Sequence, residues 1–140
     1  NLCMYKCKYF KIHELVPKQV FEDRGEKAWD LLDERLLITL DRLRNRYGSM
    51  TVNNYYWGGD REWSGLRTPH SPYYSKYSQH SFGRGADSLF KAVTVDEVRQ
   101  DILNNPDDPC FEFINSLELG VSWLHFDVRN CARVKTYYPI

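Results

Sequence analysis

Apolar side chains recur at Trp29, Leu32, Leu36, Leu40, Leu43 and Tyr47, three or four residues apart, the spacing of one helix face. Asp23, with Glu26 three residues on, offers a capping box, and Gly48 offers a stop. The pattern therefore predicts one long helix between them, its stripe packed on a sheet. Residues 1–22, where aromatics alternate with lysines, read as an irregular N-terminal segment. Residues 49–56 read as a strand. Residues 57–79 read as loop, punctuated by Gly58, Gly59, Gly65, Pro69 and Pro72.

A short strand is expected over 86–90. A second helix is expected over 94–104, capped by Thr94 with Glu97 three residues later. Pro106 and Pro109 interrupt the chain, and a third, short helix fits near 110–118. Alternation predicts strands over 120–128 and 132–138, joined by a turn near Asn130 into an antiparallel pair. Mixed helices and strands of this kind favour an α+β fold, a small antiparallel sheet with flanking helices, over a doubly wound sheet. No internal repeat, low-complexity segment or long linker divides the 140 residues, so a single domain spanning 1–140 is expected.

Charge narrows the function classes. Nineteen Lys and Arg balance nineteen Asp and Glu, so the basic excess of a nucleic-acid binder is missing. No apolar run approaches the roughly 18 residues that cross a bilayer, so neither nucleic acid nor membrane is an expected partner. The chain starts at Asn1 without the basic-then-apolar segment of a secretory signal. Cys3, Cys7, Cys110 and Cys131 lack the spacing of a zinc ribbon or a disulfide framework and read as plain thiols. Aromatic residues make up 15%, which suits a ring-rich core or a surface that grips a ligand.

Among His13, His70, His80 and His125, two stand near acids. His80 and Asp87 flank Gly83 and Gly85, which let the chain turn so that both aim at one point. His125, in the predicted strand 120–128, would add a third donor. Two histidines and one carboxylate suit catalytic Zn²⁺, which keeps a fourth position for water. The alternative for each histidine is an ordinary surface residue.

The wider pattern is more specific. Ser78-x-His80-x-x-Gly83-x-x-Ala86-Asp87, followed by Trp123-x-His125-x-Asp127, resembles the zinc D-Ala-D-Ala carboxypeptidase superfamily. That group includes murein peptidases, phage endolysins and the Hedgehog domain. Ser64-Gly65-Leu66-Arg67 resembles its Ser-Gly-x-Arg segment, and the likeness runs from about residue 28 to 129. The resemblance implies a Hedgehog/DD-peptidase-like fold with His80, Asp87 and His125 as Zn²⁺ ligands. It places Arg67 near a scissile carbonyl or substrate carboxylate; the alternative for Arg67 is a surface salt bridge. Asp127 would orient His125 or pair with Arg129. Many members carry an acid three residues before the last histidine as general base, where this chain has Ser122. Some murein endopeptidase branches resemble His125-x-Asp127-x-Arg129 instead, which leaves Asp127, Glu118 and His70 as candidate bases.

The aromatic segment Asn53–Trp63 is either a lip over the cleft or a loop packed on the core. On the first reading Trp57 and Trp63 contact substrate, and Tyr73, Tyr74 and Tyr77 line the same cleft. The resulting expectation is a zinc peptidase of phage type acting on peptidoglycan stem peptides or cross-bridges, located at a host cell wall or in a virion. The rival expectation is an inactive peptidase-fold protein of a virion, its partners other virion subunits.

Overall fold

The computed structural model describes residues 5–131 and 134–139. The chain is mixed α+β. Helix α1 spans Lys18–Arg24, α2 Glu34–Tyr47 and α3 Val95–Asn104. Strands β1 (Met50–Thr51), β2 (Gly85–Phe90), β3 (Ser116–Glu118), β4 (Leu124–Asp127) and β5 (Lys135–Tyr137) form one sheet in the order β1-β2-β4-β3-β5. Among the described residues no helix is long and apolar enough to cross a membrane.

The long helix predicted from Asp23 is divided. Asp23 lies inside α1, Gly25–Leu31 winds as a 3-10 segment, and the backbone extends at Leu32. The cap of α2 is Asp33, whose carboxylate accepts from the Arg35 amide. The Asp33 amide is taken by the Gly83 carbonyl at 2.9 Å, so a contact from another part of the chain outcompetes helical continuity. The apolar stripe survives the break: Trp29, Leu32, Leu36, Leu40 and Leu43 are all buried, and α2 packs on β2.

Within the segment read as irregular, residues 5–22 are more regular than their pattern suggests. Phe10, Ile12, Leu15 and Val16 join the core, and α1 begins at Lys18. Asp41 on α2 holds the segment, accepting from the Tyr5 hydroxyl and from the amides of Lys8 and Tyr9. Cys7 and Cys110 are unbridged thiols; the expectation for Cys3 lies outside the described residues.

The strand predicted over 49–56 is only Met50–Thr51. The chain then turns because Asn54 accepts from the Arg61 amide through its side chain and from Trp57 and Gly59 through its carbonyl. Helix α3 carries the expected Thr94–Glu97 capping box. The helix expected near 110–118 is a 3-10 turn at Pro109–Phe111 followed by β3. Phe111, Ile114 and Leu117 are buried at three-residue intervals, a spacing that imitates a helix face.

The C-terminal pairing differs as well. Both edges of β4 are occupied, by β2 and β3, each antiparallel. β5 therefore lies outside β3, and parallel to it, rather than antiparallel to β4. The start of the strand predicted over 132–138 lies outside the described residues.

Strand alternation gives the sheet two faces. Ala86, Leu117, Leu124 and Phe126 point into the core shared with α2 and with Val98 and Ile102 of α3. Asp87, Glu118, His125, Asp127 and Tyr137 share the opposite face.

Candidate metal centre

Ladder register brings the site together. Asp87 is the cross-strand partner of His125, and His80 reaches them from a 3-10 turn, Gln79–Phe82, just before β2. Ser78 caps that turn, accepting from the His80 amide. Gly83 closes it at φ 68°, and a Cβ there would lie 2.2 Å from the Leu31 carbonyl oxygen. Only glycine satisfies both the left-handed backbone and the close approach.

His80, Asp87 and His125 are buried, with 3%, 6% and 4% of their surface exposed. Each offers one ligand atom, and these atoms lie within 4.8 Å of one another; the group could hold a metal ion. Asp87 Oδ1 stands 2.8 Å from His125 Nδ1 and 3.3 Å from His80 Nε2.

The far side of each imidazole is also held. His80 Nδ1 faces the Gly65 carbonyl oxygen at 2.9 Å, so this nitrogen donates and Nε2 is turned toward the shared point, where it would give its lone pair to a metal. His125 Nε2 faces Asp127 Oδ2 at 3.0 Å, which turns Nδ1 toward the same point. Asp127 is in turn gripped by Arg129, whose Nε and Nη2 donate at 2.7 Å.

Burial opposes the charge on Asp87, but the neighbouring His80 and hydrogen bonds from both histidines hold its carboxyl below the usual range. Burial likewise opposes charging of His125, and its bonds to Asp127 and Asp87 outweigh this and raise its pKa. Two imidazole nitrogens therefore converge on one negative oxygen, where a cation would take the place of a shared proton.

Arg67 enters from the loop after Trp63. Its Nε donates to the Trp63 carbonyl at 2.7 Å and its Nη2 to Asp87 Oδ2 at 3.1 Å. The loop is anchored by Asn53, whose side chain donates to the Val16 carbonyl and accepts from the Ser64 amide. A cleft of about 510 Å³ opens over the centre, lined by Arg67, His80, Asp87 and His125 and by Trp63, Tyr73, Trp123, Glu118 and Tyr137.

The remaining predicted residues divide. Trp63 and Tyr73 line the cleft. Trp57, 63% exposed, is not in its lining; it stands edge-on to His13 beside Tyr56. Tyr77, 76% exposed, and Tyr74 are also outside the lining. Asp127 lies behind His125, fully buried, and His70 is exposed away from the cleft. Sequence reasoning missed Tyr137 and the Gly65 carbonyl. Tyr137 reaches the site through the β3–β5 pairing, and a backbone acceptor leaves no mark on residue identity.

Comparison of the chain with protein-family models, with curated proteins and with solved structures found no match.

Proposed function

We propose that this chain is a zinc-dependent peptidase acting on peptidoglycan stem peptides or their cross-bridges. The observation that supports it is the convergence of His80 Nε2, His125 Nδ1 and Asp87 Oδ1, each imidazole oriented from behind, at the floor of an open cleft. Two histidines and one carboxylate match the donor set of catalytic zinc. Zinc held there would act as a Lewis acid and make water acidic enough to ionise near neutral pH.

The chain's own residues supply the rest. Arg67 keeps Asp87 in place through Nη2, while its Nη1 has no hydrogen-bond partner among the described residues and stays available to a substrate oxygen. Trp63, Tyr73 and Trp123 give the cleft apolar walls against which a peptide loses water. The substrate class follows from the likeness of the Ser78–Asp87 and Trp123–Asp127 segments to murein peptidases.

The rival is a virion assembly protein that retains the donors without the chemistry, and the serine at position 122 speaks for it. Zinc-loaded protein incubated with purified peptidoglycan, with muropeptides followed by mass spectrometry, separates the two. New fragments that disappear with His80→Ala establish the peptidase, and their masses name the bond. A zinc-replete protein that releases none refutes the peptidase reading and leaves the assembly role.

A further inference from the structure

The peptidase reading lacks an acid at Ser122, and another strand carries one that lines the cleft. Ser116 pairs with Asp127 and Leu117 with Phe126, so continuing this antiparallel register by one residue places Glu118 opposite His125. His125 in turn pairs with Asp87, and Glu118 pairs with Tyr137. Four side chains thus stand in one row across β2, β4, β3 and β5, on the face that carries the cleft. Neighbours in such a row lie about 5 Å apart at Cβ, within reach of one water molecule.

Asp60 and Glu62 also line the cleft, and Asp127 lies behind His125, but none of the three shares the row. Asp127 is fully buried, and its oxygens are taken by His125 and Arg129. Glu62 accepts from the Lys18 amide. Asp60 is exposed on a loop that no ladder joins to the donors. Glu118 is half-buried, lines the cleft, and has no hydrogen bond or ion pair among the described residues. Its charge is felt by Arg67 and by Tyr137, whose phenol is held protonated chiefly by burial and then by Glu118.

We infer that Glu118 is the general base of the hydrolysis, a role that rests on the metal-dependent peptidase reading above. The water oxygen bonds to the peptide carbonyl carbon and its proton passes to a Glu118 oxygen. The same proton goes on to the amide nitrogen as the C–N bond breaks, leaving a carboxylic acid and an amine, between which the second water proton passes to give carboxylate and ammonium. Tyr137, beside Glu118 in the sheet, limits the directions that the carboxylate can take.

Acetohydroxamate tests this without knowledge of the natural peptide. Added as acetohydroxamic acid, it surrenders its hydroxyl proton on binding a metal, and a carboxylate base beside the metal takes that proton up. Wild type and Glu118→Gln are loaded with Zn²⁺, and calorimetry measures the affinity of each for the metal and for acetohydroxamate. The expected result is zinc affinity within about threefold and acetohydroxamate binding weakened tenfold or more, the size of a lost charged hydrogen bond. Equal or absent acetohydroxamate binding in both loaded proteins overturns the assignment and leaves the metal centre standing. Loss of zinc in Glu118→Gln overturns it too, by making Glu118 a ligand. A wild type that takes up no zinc refutes the metal reading itself. Glu118→Ala is the second variant should the glutamine chain misfold.

Discussion

Asp87 turns Oδ1 toward both histidines and Oδ2 toward Arg67. His125 is set by a chain of contacts, with Asp127 on its Nε2 and Arg129 on Asp127. Asp127→Asn keeps the shape but weakens the acceptor, and zinc affinity measured against a chromophoric chelator should fall about 10- to 100-fold. Unchanged affinity would show that the orientation of His125 does not depend on that carboxylate. At this scale much was legible. His80, Gly83 and Asp87 lie within one short stretch around a turn, and their types and intervals are visible without any tertiary knowledge. The acceptor behind His80 was not, because the Gly65 carbonyl is common to every residue type. Arg67 was legible as a site residue, but its bond to Asp87 is a product of how Asn53 anchors the loop.

At the scale of elements, α3 was readable because its capping box and apolar spacing agree, and β2 as a short segment that follows Gly85. The division between α1 and α2 was hidden. Leu32 and Leu36 keep helical spacing across a link that is extended, and the capture of the Asp33 amide by Gly83 is non-local. β3 was hidden for a similar reason: Ile114 and Leu117 sit three apart, yet one belongs to a turn and the other to a strand. Tertiary contacts also tie α2 to α3, since Asp101 accepts from the Tyr47 hydroxyl and from Arg46. The Tyr47 bond is the main cause that lowers the Asp101 pKa, while burial and then Asp101 raise that of Tyr47. The lowered acid stabilises the fold above the unfolded carboxyl pKa of about 4, and the raised phenol does so below about 10. Asp101→Asn should therefore cost about 2 kcal/mol across that window. Urea denaturation at several pH values checks it: the gap to wild type should close as pH falls below the folded Asp101 pKa, and a constant gap would contradict the linkage.

For the molecule as a whole, the α+β class was accessible from mixed periodicities, whereas strand order was not. The row that places Glu118 and Tyr137 at the cleft depends on β3 lying antiparallel to β4 and β5 parallel to β3, and single-strand patterns carry no pairing information. A cation held at the centre would be linked to the stability of the whole fold. Free zinc at about 100 times its dissociation constant should add about 2.7 kcal/mol to stability, a rise in Tm of roughly 10 °C. Calorimetric scans should show this rise in wild type and none in His80→Ala; an unmoved wild type would exclude tight binding. The β2–β4 ladder has a consequence for the young chain. Asp87 and His125 are 38 residues apart and meet only when that ladder closes. Local helices form sooner than such distant pairings. A chain with its helices wound but its sheet still open offers an incoming cation two donors at most, so tight capture marks the moment at which distant parts of the polypeptide have found one another.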